Sequence, residues 1–162
     1  MGYIPEWLQG VVLGIIAVQG LLLILPPKVI QLERGSWLGN KIIGKNNATN
    51  NAIFVFIYED LENYRAVLAE EKWECEQKKK LHLLVWIGLT DEGKRWLELR
   101  GHEVNTQVAV KVYKVNEITY RLEQAKALKK YYKEFSGQNA VKIAKSMKDL
   151  REFAIKESKS YT

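Results

Sequence analysis

Between Trp7 and Leu25 the chain runs for nineteen residues without a charged side chain. At about 1.5 Å of rise per residue a helix of that length measures roughly 28 Å, close to the hydrocarbon thickness of a bilayer. Twelve of the nineteen are Leu, Ile or Val, each favouring insertion by roughly 0.3–0.6 kcal/mol at helix centre. Pro26 and Pro27 then stop the helix. Neither can donate a backbone hydrogen bond, and Pro27 pushes its predecessor out of the α region. A surface helix of a soluble protein would carry a broad polar stripe, and this run has none. A core helix buried on every side is the alternative. A cleaved secretory signal needs a basic leader and a small-x-small cleavage step. The leader MGYIPE has Glu6 and no Lys or Arg, and LPPKVIQLERG has no Ala-x-Ala step. Residues 1–27 are therefore expected to form an uncleaved transmembrane anchor.

The flanking charges orient it. Lys28, Arg34, Lys41 and Lys45 follow the span, and no basic residue precedes it. The positive-inside rule places the C-terminal bulk on the cytoplasmic side, or the matrix or stromal side of an organelle, with the N-terminus outside. A bacterial or organellar inner membrane and the ER all remain open. Tyr3 and Trp7 would sit in the outer interface. Gly10, Gly14 and Ala17 share one helical face, where small residues let a second helix approach closely. Gln19 lies on a different face near the bilayer centre and needs a hydrogen-bond partner there. Two such faces predict packing against other transmembrane subunits. The alternative is a lone anchor whose Gln19 bonds back to its own backbone.

Residues 28–162 are enough for one domain with its own core. Gly35, Gly39, Gly44 and the polar KNNATNN mark 28–51 as a linker. A small α+β region follows over 52–115. AIFVFIY at 52–58 reads as a buried strand or the first turns of a helix. Residues 59–80 read as a helix with Leu61, Tyr64, Leu68 and Trp73 near helical spacing and with Glu74–Lys78 and Glu76–Lys80 pairs. LHLLVWIG at 81–88 is a second apolar run. Thr90 caps a short helix that ends at Gly101. In 104–115, Val108, Val110 and Val112 alternate with Ala109, Lys111 and Tyr113, a period of two that favours a strand over a helix.

Over 116–162, Leu122, Ala125, Leu128, Tyr132 and Phe135 step by three and four. Ser136-Gly137 breaks the pattern, and Ile143, Met147, Leu150 and Ala154 resume it. That is an αα-hairpin capped by Asn116. The hairpin is basic: residues 126–162 hold ten Lys/Arg against four acidic residues, while the first 125 residues balance. Lys129, Lys130, Lys133, Lys142 and Lys145 are its candidate anion-facing residues, toward anionic lipid, an acidic protein or nucleic acid, the last less favoured; a solvated lysine face is the plain alternative.

No catalytic residue, cofactor or metal is expected. His82, His102 and Cys75 have no zinc-type spacing. Glu59–Glu62 and Glu70–Glu71 are taken as solvated surface carboxylates. No glycine-rich loop has phosphate-cradle spacing. A single cysteine excludes an internal disulfide.

GLTDEGKRWLELRG at 88–101 resembles the Leu-Thr-x-x-Gly stretch where the wing of bacterial winged-helix regulators passes into the next helix. That resemblance implies a membrane-tethered regulator with a nucleic-acid-binding domain as the second reading. The first reading is a mainly α chain: one transmembrane helix, then an α-rich domain with minor β and a C-terminal αα-hairpin. As such it would serve as a non-catalytic, single-pass accessory or structural subunit of a larger membrane complex.

Overall fold

The computed structural model describes residues 5–80 and 90–162; Tyr3, the run 81–88 with His82, and the 88–89 end of the winged-helix stretch lie outside the described residues. The chain is mainly α, as its sequence predicts, with seven α-helices and one three-stranded sheet among the described residues.

Helix α1 (Glu6–Ile24) is apolar and open on nearly every side. Trp7 through Val18 are all exposed, and among the described side chains of α1 only Gln19 and Leu22 are buried. A core helix of a soluble domain would be enclosed by its own fold, and α1 is not. It is long and apolar enough to cross a membrane.

The segment expected as a linker is built into the domain. It carries β1 (Lys28–Leu32), α2 (Trp37–Ile42) and β2 (Ala48–Asn50). Residues 54–58 form β3 (Phe54–Tyr58), a strand and not a helix. β3 lies between the others, parallel to β1 and antiparallel to β2. Side-chain Oδ1 of Asn51 accepts from the backbone N–H groups of Ile53 and Phe54, an Asx turn that reverses the chain into β3.

Helix α3 (Tyr64–Lys80) begins after turns at 59–63 and not at Glu59. Its Ala66, Ala69 and Trp73 enter the main core with Leu97, Val104, Val108 and Ala154. The Glu74–Lys78 pair forms at 3.6 Å. Glu76 instead accepts from the Tyr161 hydroxyl at 2.7 Å.

The largest departure is α4 (Asp91–Tyr113). Thr90 caps it as expected, accepting from the Gly93 N–H. The helix then runs straight through Gly101 and ends only at Lys114, which takes the left-handed conformation at φ 57°. Residues 104–113 are helix and not strand; Gly101 to Ala109 are buried without interruption, while Val110 and Val112 are half-buried and Lys111 and Tyr113 exposed. Over the enclosed run polar and apolar residues are buried alike, so the helical period is hidden there and only the alternation at 108–113 shows. Packing also outweighs the β-branched penalty of under about 1 kcal/mol per residue.

Helix α5 (Glu117–Tyr131) is capped by Asn116. The chain turns at Ser136-Gly137 into α6 (Ala140–Asp149). Ala125, Leu128, Phe135, Ile143 and Met147 meet in one cluster, as their spacing predicts. The return limb breaks at Leu150, so α7 (Arg151–Ser158) sends Ala154 to the core around Trp73 instead.

Candidate functional site

Helices α3, α4 and α5 and the edge strand β2 enclose a polar cleft of about 430 Å³. Three of its carboxylates come from α3, where Glu70, Glu71 and Glu74 lie within about one turn and a half. Glu98 and His102 come from α4, one turn apart on the same face. Gly101 brings the two helices together. A Cβ there would lie 2.6 Å from Glu74 Oε1 and 3.2 Å from its Cγ. Only a glycine leaves room for that carboxylate against the α4 backbone.

Hydrogen bonds fix most of these groups. Asn105 donates to Glu70 Oε2 at 2.6 Å. Asn50 Nδ2 donates to Glu71 Oε2 and to Glu74 Oε2, at 2.5 and 3.0 Å. Lys78 Nζ donates to Asn50 Oδ1 at 2.6 Å. His102 Nδ1 lies 2.7 Å from Gln124 Oε1. His102 Nε2 is 3.2 Å from Glu70 Oε1 and 3.9 Å from Glu98 Oε2. Yet His102 Nε2 and Glu98 Oε2 are shut off from water and make no hydrogen bond.

The electrostatics follow from that crowding. Burial, then repulsion from Glu74, pushes the Glu70 carboxyl up to about 8. Burial, then Glu74 and Glu70, pushes Glu98 up to about 10. Glu71 is raised well above its usual range by the same causes. Burial lowers His102, keeping the ring neutral near pH 7. A buried cluster of shifted groups in a cleft is the pattern of a functional site. Its chemistry is that of a proton-holding, negatively biased pocket.

Glu70–Glu71 was expected as a solvated surface pair, and that expectation is corrected: Glu70 is only 7% exposed and Glu71 is half-buried. The i,i+4 spacings of Glu70/Glu74 and Glu98/His102 were legible in the sequence. Ending α4 at Gly101 took His102 off its helix and hid the second pair.

Below the cleft runs a separate ionic network. Arg121 of α5 holds Glu103 of α4 through two bonds of 2.6 and 2.8 Å, and Glu103 is fully buried. Glu117 joins Arg121 to Arg151 of α7. The bonds from Arg151 and Arg121 lower the Glu117 carboxyl to about 2. With both oxygens of Glu103 satisfied, this network ties helices together.

The residues of α1 separate into two groups. Gly10, Gly14 and Ala17 are exposed, and a Cβ built on either glycine meets no atom within 4 Å among the described residues. Gln19 is buried, its Nε2 donating to the Lys79 carbonyl at 2.6 Å. Lys79 Nζ in turn donates to the Leu25 carbonyl. The hydrogen-bond need of Gln19 is thus met by α3 of the same chain. Lys129, Lys130, Lys133, Lys142 and Lys145 are all exposed on α5, the following turn and α6. No protein-family model, curated protein or solved structure matches this chain.

Proposed function

We propose that this chain is a non-catalytic, single-pass subunit of a larger membrane assembly, with its N-terminus outside and its folded part on the cytoplasmic or matrix side. One observation carries the reading: α1 is uncharged from Trp7 to its end, and its Gly10–Gly14–Ala17 face is open among the described residues. In lipid that face accepts a second helix at close range.

The joint between anchor and domain supports the same picture. The Lys79 carbonyl sits level with Gln19, while the Lys79 ammonium reaches Leu25, about a turn and a half along α1. Together the two bonds fix the end of α3 against the C-terminal part of α1. Lys80, exposed at the end of α3, is then the lysine of that turn placed to meet anionic headgroups. The exposed lysines of α5 and α6 extend the basic surface toward lipid or an acidic partner subunit.

Gly14→Ile tests the proposal. It adds bulk where helix backbones would meet and leaves the span apolar. The chain should still insert but drop out of its detergent-extracted complex on a native gel. Unchanged migration would mean that this face meets only lipid. Binding to duplex DNA at physiological salt, with none to anionic vesicles, would favour the tethered regulator instead.

A further inference from the structure

We propose that the cleft between α3, α4 and α5 is a binding site for an organic cation, taken through its alkylammonium or guanidinium group. Once Glu70 and Glu98 are ionised, His102 Nε2, Glu70 Oε1 and Glu98 Oε2 are three facing acceptors with no N–H donor between them. With Gln124 Oε1 at 2.7 Å, His102 Nδ1 carries the ring hydrogen of the neutral imidazole, leaving Nε2 as a bare lone pair. His102 is 93% buried by its 7% exposure, and its Nε2 has no hydrogen-bond partner. Glu70 Oε1 and Glu98 Oε2 face it at 3.2 and 3.9 Å, and Glu98 Oε2 is equally unpartnered. With both carboxyls ionised, three buried acceptors turned on one another require N–H donors or positive charge between them.

The charge balance points the same way. Glu70, Glu71, Glu74 and Glu98 line the cleft against only two lysines, Lys45 and Lys78. Lys78 is already held by Asn50 and Glu74. The space favours an organic cation over a bare ion. About 430 Å³ falls in the range of small-molecule sites, roughly 300–1,000 Å³. Among the described residues no group of three or more His, Cys, Asp or Glu is arranged to hold a metal ion. The rings of Tyr131 and Tyr132 also line the walls and offer faces to a cation.

Without ligand, Glu70 and Glu98 retain protons near pH 7. An entering ammonium replaces them, so binding releases protons and tightens as pH rises from 6 to 8. The groups facing this exchange are Glu70, Glu71, Glu74 and Lys78 from α3, Glu98 and His102 from α4, Lys45 from the turn before β2, and the two tyrosines that end α5.

The test is calorimetric titration of the full chain in detergent with spermidine, with a tetralysine peptide and with Mg²⁺ alone. At least one amine should bind, with a heat that depends on the buffer's ionisation enthalpy. Glu98→Gln should weaken binding at least tenfold, and Glu62→Gln, exposed and away from the cleft, should leave it unchanged. Circular dichroism verifies that both variants are folded. Spermidine alone identifies a free small amine, and tetralysine alone identifies a side chain of a partner; both support the proposal. Three results would overturn it: no amine binding at millimolar concentration, equal binding to folded Glu98→Gln, or Mg²⁺ binding that depends on Glu98 while neither amine binds.

Discussion

Glu70→Gln should make the protein more stable at pH 8 and leave it unchanged near pH 4.5. The wild-type Glu70 carboxyl holds its proton up to about pH 8 when folded, against an ordinary value of 4.5. Its folded pKa is raised, so its favourable contribution is complete below pH 4.5 and is lost as pH climbs toward 8. At about 1.36 kcal/mol per pH unit, three and a half units give an upper bound of about 5 kcal/mol. Glu71, Glu74 and Glu98 share the same field and titrate with it, so about 2 kcal/mol is the expected share of one residue. Glutamine keeps the shape and removes the charge. Its Oε1 can still accept from Asn105, now at Glu70 Oε2. Its Nε2 would stand near the Glu70 Oε1 position, 3.2 Å from His102 Nε2, and give that nitrogen a donor. For a chain of 162 residues, about 2 kcal/mol corresponds to roughly 4–8 °C in Tm. Thermal unfolding of the full chain in mild detergent, followed at 222 nm from pH 4.5 to 8, measures it. A wild-type Tm that stays flat over this range would refute the reasoning. So would a variant that melts below wild type at pH 8.

Arg121→Met should cost about 3–5 kcal/mol in the same assay, because it strands the fully buried Glu103 carboxylate. Adding Glu103→Met should recover most of that loss, since an apolar pair replaces the ion pair. Gly101→Leu should lower Tm by at least about 5 °C, because its side chain displaces Glu74 and separates α3 from α4. Charge reversal at Lys129, Lys130, Lys133, Lys142 and Lys145 should weaken binding to anionic vesicles, with the difference shrinking as salt rises. Identical binding at low salt would leave these lysines as a solvated face.

What the sequence disclosed followed from periodicity. The long apolar helix α1 was legible because the nineteen residues from Trp7 to Leu25 carry no charge. The αα-hairpin was legible because Leu128, Phe135, Ile143 and Met147 keep helical spacing around Ser136-Gly137. Helix α4 was not, because its central residues are enclosed on every side and their polar members find partners in other elements. Asn105 bonds Glu70 of α3, and Gln107 bonds Glu117 of α5 besides Glu103 of its own helix. Those partners are remote in sequence or hidden by the misplaced helix end. The sheet was half legible: β3 is a compact apolar run, whereas β1 lies in a stretch that reads as a linker and gains its strand only by pairing with β3. The cleft escaped for the same reason. Carboxylates such as Glu70 look solvated until a second helix covers them.

Alkaline carbonate extraction tests most directly whether α1 holds this chain in a bilayer. Raising the pH strips peripheral proteins by charge repulsion, and it leaves an apolar span of nineteen residues in place. The full chain should remain in the membrane pellet and be released only by detergent, with its N-terminal residues still attached. Recovery in the carbonate supernatant would contradict the account.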